Sequence, residues 1–341
     1  VSTPLGLRAI GGVMDVYKRV FVSGAAAPLL SPSNPVRRSG FELNAVVETM
    51  ERPTADVVAV TMRAADGRAL PSWRPGAHLD VFLPSGRQRQ YSLCGDPRDR
   101  SRYRIAVRLI PDGAGGSREV HESLWVGDRL RIRGPRNAFT LVDAPSYVFL
   151  AGGIGITPIL PMVRAVGSRG RLVYAGRSRE SMPFLDEVPD AEIRPDDEFG
   201  APDVAAIIAR AEPGAAVYVC GPPAMLAAAQ RCRFTLDPTG SLHTERFSAA
   251  PVIDGRSFDI TLARSGRTVR VGAEETALAA VRRLLPDVNH SCRQGFCGTC
   301  KVAVRAGAVD HRDRLLTAAE RENAMLLCVS RAAGDALVLD L

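Results

Sequence analysis

The chain has 341 residues, 46% of them hydrophobic and 24% charged. That length exceeds one ordinary core and calls for two or three domains, while that balance excludes a wholly disordered or fibrous chain. The formal charge is +7, but nearly all the cations are Arg and they are scattered. Without a block of like charge a nucleic-acid arm is disfavoured; an acidic protein partner or a phosphorylated cofactor fits better.

Residues 1–40 read as an N-terminal extension. Ile10, Val13, Met14, Tyr17, Val20 and Phe21 recur at helical spacing, which predicts an amphipathic helix whose apolar face docks on the protein's own body, with a partner or a membrane surface as the alternative. Ala25 to Gly40, with Pro28, Pro32 and Pro35, reads as an extended connector. The start lacks the basic-then-apolar layout of a signal peptide, and no run of about 18 apolar residues predicts a membrane span. The expectation is a soluble cytoplasmic monomer.

Short strands follow, at 41–49, 56–63, 78–83, 89–93, 103–108 and 129–133, separated by turns such as Asp66-Gly67, Pro75-Gly76 and Pro84-Ser85-Gly86. This rhythm predicts a small antiparallel β-barrel over 41–143. From 144 to 247 strands alternate with helices: strands at 147–151, 171–175 and 216–220, helices through Val166, at 203–211 and at 224–233. Such alternation predicts an α/β domain with a parallel sheet. Residues 248–256 form a linker, and 257–341 a third, C-terminal module.

That module carries Cys292, Cys297, Cys300 and Cys328, four of the seven cysteines. The spacing Cys-x4-Cys-x2-Cys with a distant fourth Cys is that of plant-type two-iron, two-sulfur centres. The loop from Cys292 to Cys300 must curl around a cluster with its amide N–H groups aimed at sulfur, and Gly295 and Gly298 permit that curl. Structural zinc also takes four thiolates, but usually as two separated pairs. Cys94, Cys220 and Cys232 read as unliganded.

Residues 257–341 resemble the plant-type ferredoxin module, including Ser291 and Leu327-Cys328. With the two domains before it, residues 41–341 resemble the phthalate dioxygenase reductase family. The resemblance implies a multidomain fold: an antiparallel β-barrel flavin domain, an α/β parallel-sheet NAD domain and an α+β, β-grasp-like ferredoxin domain. It also implies FMN as the flavin, a [2Fe–2S] cluster, and NADH, with NADPH left possible by Arg177 and Arg179 near the adenosine ribose.

Within that frame Arg89-Gln90-Tyr91-Ser92 stands where such barrels hold flavin. Arg89 suits the phosphate or the ring's developing negative charge, Ser92 the ring edge and Tyr91 packing along the flavin. Ala106, Val107 and the helix start Gly115-Gly116-Ser117 complete the constellation, the last offering backbone N–H groups to a phosphate. Gly152-Gly153-Ile154-Gly155-Ile156-Thr157-Pro158 departs from the Gly-x-Gly-x-x-Gly fingerprint but matches the turn of ferredoxin-reductase-like NAD domains. The turn Cys220-Gly221-Pro222 lines the same site in relatives. Arg177 and Ser178 end the strand where the ribose rests, and Phe247, in the ending His-x-Glu-x-Phe, would cover the flavin.

The implied activity is a three-cofactor relay with no catalytic triad, ending at a terminal oxygenase of Rieske non-haem iron or haem-thiolate type. Arg293, Lys301, Arg305, Arg312 and Arg314 lie near the cysteines and would favour an acidic partner. Two other readings compete: a redox or iron sensor without turnover, and a flavin diaphorase with a zinc-binding tail.

Overall fold

In the computed structural model the described residues are 41–113, 115–232, 238–248, 252–290 and 292–341. The helix expected over residues 10–21, the connector before Phe41, Ser291 and residues 249–251 of the expected linker lie outside them.

The first sheet contains β1 (Phe41–Thr54), β2 (Val57–Ala64), β3 (Ala77–Phe82), β4 (Gln88–Ser92), β5 (Tyr103–Arg108) and β6 (Arg129–Asn137), in the order β4-β3-β6-β1-β2-β5. All neighbours run antiparallel. A bridge between Leu93 and Ile105 joins the sheet's two ends, which curls it into a barrel. Side chains alternate between faces along each strand. Leu79, Val81, Val58, Val60, Leu130 and Ile132 therefore fill the interior, while His78 and Asp80 of β3 take the other face.

The second sheet is parallel, with β7 (Tyr147–Gly152), β8 (Gly170–Gly176), β9 (Glu192–Pro195), β10 (Ala216–Cys220) and β11 (Ser241–Glu245) in the order β11-β10-β7-β8-β9. Its central strands are buried on both sides. Tyr147, Phe149 and Ala151 join one apolar core, whereas Val148 and Leu150 join another. The first of these cores also takes in Val57, Ala59, Cys94, Ala106 and Phe139 from the barrel side, so barrel and parallel sheet share packed apolar surface. Each large side chain so enclosed contributes roughly 1.5–3 kcal/mol. Because β7 is followed by β8 on one side and flanked by β10 on the other, the strand order reverses between β7 and β10. Ligand crevices of open α/β sheets open at such a reversal.

The third sheet is mixed: β12 (Phe258–Leu262), β13 (Thr268–Val271), β14 (Lys301–Ala306), β16 (Ala324–Leu326) and β18 (Ala336–Leu339) in the order β13-β12-β18-β14-β16, with β15 (Val309–Asp310) paired separately to β17 (Arg331–Ala332). Helix Ala277–Leu284 lays Leu278, Ala280 and Val281 on this sheet, and its N-cap Thr276 accepts a 3.1 Å bond from the Ala279 N–H. Such a cap stabilises a helix by about 1 kcal/mol. This third core contains only residues of the C-terminal module. Among the described residues no helix is long and apolar enough to cross a membrane.

Candidate functional site

The expected flavin tetrapeptide lies on β4. The register pairs Arg89 with Val81, Gln90 with Asp80, Tyr91 with Leu79 and Ser92 with His78. Arg89 and Ser92, three residues apart, are set at opposite ends of one short edge strand. The Arg89 side chain crosses the start of helix Gly116–Glu122: a Cβ built on Gly116 would stand 2.7 Å from the guanidinium carbon. Only glycine allows that approach. Gly115 begins the helix with φ 76° and no side-chain cap, leaving the first backbone N–H groups to a ligand. Arg87 stands close to Gly115 and pairs with Glu119 at 3.3 Å. Ser117 Oγ accepts a 3.0 Å bond from the Ile110 N–H, which fixes this loop. Two guanidinium groups, a glycine pair and a helix start form a cradle that fits a phosphate dianion. Ala106 and Val107 are buried in the cores, and His121 Nε2 meets the Val107 carbonyl at 2.9 Å.

The second cradle sits at the β7/β10 reversal. A Cβ on Gly155 would run into the Cys220 carbonyl, and one on Gly152 would lie 2.6 Å from Pro222 Cδ. The two turns expected to line the nicotinamide site are thus pressed backbone to backbone. Thr157 is buried and donates from Oγ1 to the Ile154 carbonyl at 3.0 Å. Tyr174 braces the turn from below, its hydroxyl 3.2 Å from the Gly153 carbonyl and 2.9 Å from that of Pro183. Arg177 is exposed, and Ser178 forms a reciprocal capping box with Ser181. Arg179 grips Glu198 through two bonds of 2.7 and 3.0 Å. A guanidinium so engaged offers little to a ribose 2′-phosphate, which favours NADH.

Sequence reasoning missed Glu245 as a site residue. It ends β11 opposite Cys220, and its Oε2 is cut off from solvent with no hydrogen-bond partner. Burial pushes its carboxyl up to about 8. The signal was present as the Glu of His-x-Glu-x-Phe, but a carboxylate at a strand end reads as a solvated edge. Phe247, two residues on, is 51% exposed.

The four expected ligands converge. Cys292, Cys300 and Cys328 are buried, and Cys297 is half-buried. The Cys292 sulfur lies against Cys297 and Cys328, and contact with these two thiols holds it well below the ordinary thiol range. The Gln294 and Phe296 N–H groups act in the same direction. Gln294 N–H donates to Cys292 Sγ at 3.3 Å, and Thr299 Oγ1 is 3.3 Å from Cys297 Sγ. Gly295 has φ 78°, and a Cβ there would strike Val329 at 2.7 Å. Loop amides aimed inward at sulfur and mutually close thiols fit an iron–sulfur cluster. Among the described residues no three His, Cys, Asp or Glu side chains group around one metal ion. A two-iron cluster takes its thiolates two per iron, so a three-donor focus is not its signature.

The loop is clasped from both neighbouring sheets. Gln294 Nε2 donates to the Arg246 carbonyl at 2.5 Å, Arg136 Nη1 reaches Thr299 Oγ1 at 3.4 Å, and His78 meets Phe296 edge-on at 6.4 Å between centroids. Of the cations expected to face an acidic partner, Lys301 pairs with Glu320 at 2.8 Å, Arg305 with Asp340 at 3.1 Å and Arg312 with Asp310 at 2.7 Å. Arg293 is half-buried and Arg314 exposed. The expected basic face is therefore largely answered by the module's own carboxylates.

Comparison with known proteins agrees with this layout. Residues 260–333 match the 2Fe-2S iron-sulfur cluster binding domain. The phenoxybenzoate dioxygenase subunit beta of Ectopseudomonas oleovorans is 42% identical over 299 residues, covering 84% of this chain and 93% of the relative. The phthalate dioxygenase reductase of Burkholderia cepacia is 35% identical over 320 residues, covering 89% and 99%. A solved structure of phthalate dioxygenase reductase, described as a modular structure for electron transfer from pyridine nucleotides to [2Fe–2S], superposes with a TM-score of 0.66 at 34% identity, covering 88% of this chain and 98% of that one.

Fold and comparisons define an iron–sulfur flavoprotein oxidoreductase, the reductase component of an oxygenase system. Its three parts are an antiparallel flavin barrel, a parallel-sheet NAD domain and a C-terminal ferredoxin domain. The chain belongs to the phthalate dioxygenase reductase family, whose members use FMN, NADH and a [2Fe–2S] cluster.

Proposed function

We propose that residues 41–143 bind FMN, 144–247 bind NADH and 257–341 hold the [2Fe–2S] cluster on Cys292, Cys297, Cys300 and Cys328. The relay ends at a terminal oxygenase of Rieske non-haem iron or haem-thiolate type, in aromatic catabolism or demethylation. The observation that carries this reading is the cysteine loop held against the barrel through His78 and Arg136 and against the end of the parallel-sheet domain through Arg246. When bound, NADH supplies a hydride, FMN accepts it and releases its electrons singly, and the cluster hands them on.

The chain's own part is orientation. Arg89, Gly115, Gly116 and Ser117 hold the flavin phosphate; Tyr91 packs along the ring and Ser92 presents its hydroxyl to the ring edge. Gln90 is held by Asp80, and Ala106 and Val107 serve through their backbone. Gly152, Gly153, Gly155 and Thr157 seat the dinucleotide against Cys220, Gly221 and Pro222, while Arg177 and Ser178 border the ribose. Glu245 and Phe247 close the crevice over the nicotinamide and exclude water, so that the reacting atoms are held at roughly 3–3.5 Å. No side-chain acid or base is needed for hydride transfer. The protein works as a monomer in the reducing cytoplasm, where thiolates persist.

Anaerobic addition of NADH to the holoprotein tests the relay. Bleaching of the flavin and sulfur-to-iron bands, with iron and acid-labile sulfide present, is expected. Zinc in place of iron, or a cluster that NADH does not bleach, would reject it. Reduction of a purified Rieske oxygenase, set against reduction of a haem-thiolate monooxygenase, then decides which of the two partner classes takes the electrons.

A further inference from the structure

On the outer face of the barrel, β3 and β4 present Asp80 beside Gln90, and neighbouring β6 brings up Arg133 and Arg136. Asp80 is only 1% exposed and accepts from Gln90 Nε2 at 3.1 Å, Arg133 Nε at 3.2 Å and Arg136 Nη1 at 2.9 Å. A carboxylate taken out of water is tolerable only with such partners, and it fixes their geometry in return. The same Arg136 Nη1 reaches out of the barrel to Thr299 Oγ1 at 3.4 Å, and that oxygen is 3.3 Å from Cys297 Sγ. Thr299 Oγ1 accepts from Arg136, and once Cys297 is a cluster-bound thiolate with no proton to give, the Thr299 O–H is the group left to donate to the sulfur. The resulting chain runs from the flavin strand through a buried carboxylate to a cation that donates both to that carboxylate and, through Thr299, toward a cluster ligand.

We propose that Arg136 is a positioning residue for electron transfer between flavin and cluster. Anchored by Asp80, it holds the cysteine loop at a fixed distance from the flavin strand. Through Thr299 it also stabilises the added negative charge of the reduced cluster. The step it governs moves one electron: reduced flavin is oxidised and one ferric iron becomes ferrous, with no bond made or broken in the chain. Two such transfers, the second after the cluster has passed its electron to the acceptor, return the pair delivered by one hydride. The inference rests on the proposed flavin and cluster sites.

The test compares wild-type holoprotein with Arg136→Ala, Arg136→Lys and Thr299→Val by rapid anaerobic mixing with NADH, potentiometric titration of the cluster, and hydrogen exchange over residues 296–300. Arg136→Ala is expected to leave reduction of flavin by NADH unchanged and to slow the next transfer by about tenfold or more. Its cluster potential should fall and exchange in the loop should quicken. Arg136→Lys keeps the charge and should restore the potential in part. Thr299→Val leaves Asp80 and its donors untouched and should reproduce the fall in potential even if Arg136→Ala does not fold. Wild-type potential and transfer rate in Thr299→Val, or in a folded Arg136→Ala, would overturn the proposal. Wild-type holoprotein whose flavin NADH does not reduce would instead overturn the functional reading on which it rests.

Discussion

The guanidinium of Arg89 occupies the space that a side chain on Gly116 would need: the guanidinium carbon lies 2.7 Å from where a Cβ would stand. Cation and helix start are thereby stacked into one anion cradle. Gly116→Ala forces the Arg89 side chain away while leaving the helix intact. We expect flavin retention to drop by about tenfold, a loss of ~1.4 kcal/mol in binding, with iron content unchanged. The flavin-to-iron ratio after gel filtration measures this; an unaltered ratio refutes the cradle.

Cys300 is buried and in contact with Cys328. Cys300→Ser replaces a thiolate with a poorer ligand for iron. The expected product lacks most of its iron and acid-labile sulfide and no longer reduces an oxygenase, yet NADH still bleaches its flavin. Full iron content in the variant would contradict the ligand assignment.

The Arg179–Glu198 pair keeps a cation engaged beside the expected ribose pocket. Both partners are exposed, so the pair adds little to stability. Glu198→Gln releases Arg179 for a 2′-phosphate, the feature that NADP sites supply. KM for NADPH should fall by about threefold to tenfold with KM for NADH little changed, a gain of ~1 kcal/mol. Equal shifts for both nucleotides would place Arg179 elsewhere.

Glu245 titrates at about 8 in the fold against 4.5 ordinarily, because burial penalises its charge. Below pH 4.5 both folded and unfolded chains hold the proton. Between 4.5 and 8 only the unfolded carboxyl ionises, so stability falls as pH rises through that window and levels above it. Glu245→Gln should remove this decline: its Tm should exceed that of wild type by more at pH 8.5 than at pH 5. A pH-independent difference would show that Glu245 is charged in the native state.

Where chemistry compresses into contiguous residues, the sequence was readable. Cys292 to Cys300, Gly152 to Thr157 and Arg89 to Ser92 each declare a backbone shape together with a donor set. The Arg136 link was not readable, because Asp80 and Thr299 lie 56 and 163 residues away and only the barrel's register against the cysteine loop brings them together. Strand β9 also escaped notice, since Glu-Ile-Arg-Pro shows no apolar alternation and exists as a strand by pairing with β8. The partners of the cations around the cluster were hidden for a related reason. Charge in a sequence says nothing of the carboxylate folded beside it, and Lys301, Arg305 and Arg312 each found one.

The barrel and the parallel sheet bury Phe139, Cys94 and Ala106 together with Tyr147, Phe149 and Tyr218 in a single interior. The third sheet encloses its own and meets the others through hydrogen bonds and ring edges. Separating the first pair would expose the greasy surface they share, whereas detaching the third leaves its own interior whole. Recombination of genes could therefore move the metal-bearing unit to another position, or drop it, without wrecking what remains, while the two nucleotide-binding units must be inherited as a couple.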